Sequence, residues 1–159
     1  CKLKDKNYET KLPRPMFNTQ EYDFGFSGLK TAVLYDFKKR PIKIRQSKKY
    51  ICKMCTEAEQ SIIDVLISKT VRAAREFKAK TIILGGGVVA NKELRKQFKE
   101  IIKKQLPLST LYIPPSKLCT DNAAMIGVAG YFNSIKVKIE NWPPLTNNLD
   151  IEANANLKI

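Results

Sequence analysis

Three short stretches concentrate residue types that can bind or react. In Leu84-Gly85-Gly86-Gly87-Val88-Val89-Ala90-Asn91, three glycines stand between an apolar run and a predicted helix start. Glycine tolerates positive φ and leaves the backbone uncovered, so N–H groups can approach a ligand closely, and a helix start adds its positive dipole end. Such a turn suits a nucleotide phosphate, although a tight strand-to-helix connection that binds nothing fits the same residues. The stretch lacks the G-K-[ST] of a P-loop and is not a G-x-G-x-x-G fingerprint, so neither mechanism is supported. Cys119-Thr120-Asp121-Asn122-Ala123-Ala124-Met125 gathers polar residues at another predicted helix start. There Asp121 can coordinate a divalent cation that bridges phosphates, or serve as an ordinary N-cap. Phe26-Ser27-Gly28-Leu29-Lys30-Thr31 repeats the pattern more weakly, and helix capping by Ser27 accounts for it without a ligand.

The chain of 159 residues contains no histidine. Serine–histidine and cysteine–histidine nucleophile systems, and any histidine-bearing metal site, cannot be completed from these residues, so nothing here supports proteolysis. Four cysteines, Cys1, Cys52, Cys55 and Cys119, are too scattered for a disulfide framework in a chain able to bury a core. Cys52-x-x-Cys55 has no second CxxC to complete a zinc knuckle and reads as two reduced thiols before a helix. A reducing cytoplasm is the expected compartment.

The net charge is +14, and Lys38, Lys39, Arg40, Lys43, Arg45, Lys48, Lys49 and Lys53 follow one another without an intervening acid. A positive surface of this size favours a polyanionic partner such as nucleic acid; a solvated basic face fits the run equally well. No apolar stretch approaches the ~18–20 residues of a membrane span. The start at Cys1, without Met or a signal-peptide layout, reads as that of an excised segment.

The elements that must position these motifs follow from periodicity. Tyr22–Phe26 alternates as a short strand or its approach does, and Ser27 is the expected cap of a helix from about Gly28 to Lys39, stopped by Pro41. A basic linker is expected next. Apolar residues from Ile62 to Phe77 recur at helical spacing, and Thr56 with Glu59 reads as the capping box of a helix spanning 56–78. Thr81-Ile82-Ile83-Leu84 reads as a buried strand ended by the glycines. Asn91 caps a helix from Lys92 to about Gln105; Leu111-Tyr112-Ile113 is a second strand, and Asp121 or Asn122 opens a last helix from Ala123 to about Phe132. Residues from Asn141 read as a tail, with a short strand near Leu149–Glu152. The order predicts an α/β sheet covered by helices, and ligand sites in such sheets lie beyond the strand carboxyl ends, where both the glycines and Asp121 fall.

Taken together, Leu12-Pro13-Arg14-Pro15-Met16, Tyr22-Asp23-Phe24 with Phe26-Ser27-Gly28-Leu29-Lys30-Thr31, Gly85-Gly86-Gly87-Val88 with Ala90-Asn91, and Cys119 to Ile126 resemble, in order and spacing, the TsaD (glycoprotease) family of tRNA N6-adenosine threonylcarbamoyltransferases, with a bacterial-type pattern. Asp150-Ile151-Glu152 is similar to the family's closing segment. The resemblance implies that residues 1–159 are the carboxy-terminal portion of such a protein, with a motif-bearing core at 12–140 and a tail at 141–159, the amino-terminal lobe being absent. It implies one lobe of an actin-like ATPase fold, of the sugar kinase, Hsp70 and RNase H-like kind, with a mixed sheet and flanking helices. The implied reaction moves the threonylcarbamoyl group from threonylcarbamoyl-AMP to N6 of adenosine 37 in tRNAs reading codons that start with A.

Residue by residue, the resemblance implies Asp121 as one ligand of a divalent iron or zinc ion completed by histidines outside these residues. It also implies Asn91, with Gly86 and Gly87, against the adenylate, and Ser27 and Lys30 lining the cleft. No catalytic side chain is implied here, since the nucleophile comes from the RNA. The implied partners are tRNA, a TsaB-like paralogue and a TsaE-like ATPase, with no membrane. Gly25 and Val89 depart from the family's usual serine and alanine. Two other readings remain: a related actin-like protein acting as a scaffold or as a small-molecule carbamoyltransferase, and a plain RNA-binding module.

Overall fold

The computed structural model describes residues 10–136. They divide into one unit reaching Cys119 and a second beginning at Thr120. In the first unit the elements are α1 (Ser27–Lys39), α2 (Ile42–Arg45), α3 (Lys48–Glu76), β1 (Thr81–Ile83), a 3-10 turn (Gly87–Ala90), α4 (Lys92–Gln105), β2 (Thr110–Tyr112) and a second 3-10 turn (Ser116–Leu118). The second unit contributes α5 (Ala123–Lys136).

The expected α/β alternation is present. Among the described residues the sheet is a parallel pair, with Ile82 opposite Leu111 and Ile83 opposite Tyr112. Parallel strands need a helical crossover, which α4 supplies. Ile82 and Leu111 pack with Ile63, Ile67 and Val71 of α3 and with Leu94, Phe98 and Ile102 of α4. Burying each large side chain of this set stabilises the layer by about 1.5–3 kcal/mol. Ile83 and Tyr112, of opposite parity, are exposed. A second cluster joins Leu12, Leu29 of α1, and Tyr50 and Met54 of α3. The 29 residues of α3 are thus the shared spine of both cores.

Two sequence expectations fail at helix starts. Thr56 and Glu59 do not begin a helix, because α3 starts at Lys48, where the Ser47 hydroxyl accepts from the Tyr50 N–H at 3.2 Å. Tyr50 and Met54, one turn apart, give the first turns an apolar stripe that the surrounding lysines hide. The supposed basic linker is therefore α2 and the beginning of α3, and Cys52 and Cys55 lie inside α3. Ser27 is not a cap either: Phe26 occupies the cap position without a side-chain bond, and the Ser27 carbonyl accepts from the Thr31 hydroxyl. Among the described residues Tyr22–Phe26 has no strand partner, and it runs as irregular chain. The strand expected near Leu149–Glu152 lies outside the described residues.

That irregular chain is held by α3. Lys69, 1% exposed, donates from Nζ to the Glu21 carbonyl at 2.9 Å, the Asp23 carbonyl at 2.6 Å and the Thr19 hydroxyl at 3.1 Å. Arg72 adds bonds to the carbonyls of Thr19, Gln20 and Glu21 and lies 4.8 Å from the Tyr22 ring centre. These two cations give the backbone of 19–23 the donors that a sheet partner would otherwise supply.

A polar contact closes the α1–α3 cluster. The Tyr50 hydroxyl donates to Asp36 at 2.8 Å, and Arg40 makes two bonds to the same carboxylate. The Arg40 bonds hold the Asp36 carboxyl below its ordinary range, against burial that pushes it up, and Tyr50 adds to the lowering. Burial, with the bond to Asp36, pushes the Tyr50 phenol up to about 12. A raised phenol favours the protonated form in the folded state, so this stabilisation is complete below about pH 10 and disappears as pH rises through about 12. Urea melts of wild type and Tyr50→Phe should therefore differ by a constant amount from pH 7 to about 10 and converge at higher pH. A gap that widens above pH 10 would refute the assignment.

Candidate functional site

The glycine turn leaves the carboxyl end of β1. Leu84 still donates to the Tyr112 carbonyl at 3.0 Å, and the chain then departs from the sheet. Gly86 has φ 86° and ψ 169°, a region open essentially to glycine alone, and among the described residues a Cβ on Gly85, Gly86 or Gly87 would meet nothing within 4 Å. The glycines therefore face open space instead of packing against a neighbour. The N–H groups of Gly86, Gly87 and Val88 have no intramolecular acceptor among the described residues, and all three residues are exposed. Consecutive unpaired N–H groups at the approach to a helix form an anion-binding concavity.

Asn91 ends the 3-10 turn and begins α4 as the sequence predicts. Its Oδ1 accepts from the Leu94 N–H at 2.9 Å, and its Nδ2 donates to Glu59 Oε1 of α3 at 2.7 Å. One amide thus caps a helix and ties the turn to the spine, leaving the second Nδ2 proton for a ligand. Glu59, expected in a capping box, makes this cross-helix bond instead, which its spacing does not signal.

Arg95 is the positioning residue that sequence reasoning missed. From α4 its Nε donates to the Val89 carbonyl at 2.5 Å, while Nη2 reaches the Pro114 carbonyl at 2.6 Å and the buried Cys119 sulfur at 3.0 Å. The loops following β1 and β2 are therefore fastened together at the same end of the parallel pair. Its only sequence signal is a cation one turn into a helix that follows a glycine turn. Replacing Arg95 by Ala should cost about 2 kcal/mol, because two backbone carbonyls lose charge-assisted donors. Hydrogen exchange at Val89 and Asn91, whose N–H groups bond the Gly86 and Val88 carbonyls, should accelerate with it; unchanged exchange there would show that the staple does not hold the turn.

The structure brings together Gly86, Gly87 and Asn91. Ser27 and Lys30 lie on the exposed first turn of α1 and share no hydrogen bond with the turn among the described residues. A groove of about 620 Å³ between α3 and α4 is lined by Asp64, Arg72, Arg75 and Gln97 and contains none of the turn residues. In the second unit Asn122, not Asp121, caps α5: its Oδ1 accepts from the Met125 N–H at 3.0 Å and its Nδ2 donates to the Thr120 carbonyl. Asp121 is exposed, and its carboxylate makes no hydrogen bond or ion pair among the described residues. The capping alternative for Asp121 is thereby removed.

The family model for tRNA N6-adenosine threonylcarbamoyltransferase, TsaD, matches residues 2–128. The chain belongs to the TsaD family. The protein of that name from Thermosipho melanesiensis is 42% identical over 148 residues, which cover 93% of this chain and 40% of the relative. That from Enterococcus faecalis is 40% identical over 128 residues, covering 79% and 35%, and that from Geobacillus kaustophilus 45% identical over 122, covering 75% and 34%. The chain spans about two fifths or less of the length of these TsaD relatives. The glycine turn, Asn91, Arg95 and Asp121 all fall inside the span matched by the TsaD model.

Among the described residues no group of three or more His, Cys, Asp or Glu could hold a metal ion. An unengaged, exposed carboxylate such as Asp121 nevertheless fits one position of a divalent site, as a hard oxygen donor. No helix of the described residues is long and apolar enough to cross a membrane.

Proposed function

We propose that this chain is the carboxy-terminal portion of a cytoplasmic enzyme that transfers a threonylcarbamoyl group from threonylcarbamoyl-AMP to N6 of adenosine 37 in tRNAs reading codons that begin with A. The observation that carries the reading is the Gly86 conformation within a turn of unpaired N–H groups, in a chain of this family. An actin-like lobe is consistent with the parallel pair and its covering helices. The relatives' shared name supports tRNA as acceptor, and a TsaB-like paralogue and a TsaE-like ATPase are the proposed partners.

In this reading the backbone of Gly86, Gly87 and Val88 donates to the adenylate phosphate, and the remaining Asn91 Nδ2 proton orients the nucleoside. These preformed donors hold the leaving group in place, so the entropy of alignment is lost at binding and not in the transition state. Arg95 keeps the donors in position. Ser27 and Lys30 are proposed to line the same cleft. Asp121 would hold a divalent iron or zinc ion together with histidines from elsewhere in the protein, and that ion supplies Lewis acidity and a template.

A chimera tests this reading: the matching segment of the Thermosipho melanesiensis relative is replaced by this chain, and N6-threonylcarbamoyladenosine formed in tRNA is quantified. The chimera should be active, and Asp121→Ala should lower the rate at least 100-fold. Wild-type activity of Asp121→Ala would remove the metal role. A scaffold paralogue would give a folded chimera with no modified adenosine.

A further inference from the structure

We propose that the carboxyl end of α1, α2 and the first turns of α3 form a docking surface for the acceptor RNA, with lysines on its phosphates and Tyr35 beneath an unstacked base. The proposal rests on the tRNA reading above and goes beyond it by naming where the RNA is held.

The three elements pack against one another: Tyr50 of α3 bonds Asp36 of α1 at 2.8 Å, and Arg45 of α2 lies 5.3 Å from the centre of the Phe37 ring of α1. Lys38, Lys39, Lys43 and Lys48 are all exposed there. The single acid of α1, Asp36, is bonded by Arg40 and Tyr50 and also lies within electrostatic reach of Lys39, so one carboxylate faces several cations on that helix. The lysines that close α1 suit its negative dipole end. Lys48 does not: it opens the 29 residues of α3, whose first turn contains no acid, at the end where a helix repels cations. An external polyanion on this face relieves that arrangement, which the packing of Tyr50 and Met54 does not require.

The aromatic character of the face separates RNA from an acidic protein. Tyr35 is 66% exposed, and Lys38 and Lys39 stand one turn further along the same helix. A bare aromatic ring flanked by cations is the arrangement that stacks an unpaired base while its phosphates are neutralised. The modified nucleotide of the proposed reaction is itself one that must be accessible outside a stack.

The test measures binding of fluorescent tRNA to the whole chain across a salt series. Four variants are compared with wild type: K38E/K39E/K43E/K48E, the pair K38E/K39E, Tyr35→Ala, and K96E/K99E/K103E/K104E on α4 as an equal charge change elsewhere. The first should bind at least 100-fold more weakly and lower the log–log salt slope by about 3, with the pair intermediate; Tyr35→Ala should lose about tenfold at unchanged slope; the α4 control should lose far less. Equal losses for the α4 set and the α1–α3 set would overturn the surface while leaving tRNA as the acceptor. Wild type that binds no tRNA even at low salt would overturn both. If RNA binding proves indifferent to the four substitutions, the proposal fails. Circular dichroism checks that each variant is folded, and the pair and Tyr35→Ala carry the test if the quadruple variant is not.

Discussion

Replacing Gly86 by valine should cost the chain about 1–3 kcal/mol of stability and weaken adenylate binding at least tenfold. At φ 86° and ψ 169° a β-branched residue cannot keep the backbone path of the turn, although the space around the missing Cβ is empty. Valine must therefore rotate the peptide, and the N–H groups of Gly87 and Val88 move with it. Gly87→Ala, at a position without positive φ, should lose little stability. The pair of measurements, thermal melting and adenylate titration, separates strain from steric exclusion. Equal and small effects at both positions would show that the turn is not specialised.

Lys69→Met should lower stability by about 3 kcal/mol and the melting temperature by on the order of 10 °C. Methionine preserves most of the buried stem but removes the side-chain donor to the Asp23 carbonyl, as well as bonds to Glu21 and Thr19. Arg72 still holds Gln20, so the loss should concentrate at Tyr22–Phe26, ahead of α1. Hydrogen exchange at Lys30, whose N–H bonds the Phe26 carbonyl, would report it. A melting temperature within about 2 °C of wild type would mean that Arg72 alone secures the segment.

The glycine turn, the Asn91 cap and both short strands were legible because each is announced by adjacent residues: an apolar run, a breaker, a capping side chain. The α3 start was not, since Ser47 precedes two lysines and the apolar residues that matter, Tyr50 and Met54, gain their meaning only from Leu12 and Leu29, distant in sequence. Lys69 left a faint signal, a cation four residues after Val65 on a core-facing register, where a charge survives only if its protons are used. Arg95 and Glu59 left less, for their bonds reach across elements to a carbonyl, a thiol and an amide that no spacing rule connects. Residues whose partners are local can be read from order; staples between elements require the fold.

Seating of the adenylate by the turn at Gly86 is tested most directly by amide NMR. In the chimera carrying this chain, labelled with nitrogen-15, titration with AMP should shift the amides of Gly86, Gly87 and Val88 saturably, with Asn91 following. Saturable shifts confined to other segments, with those three amides unmoved, would contradict it.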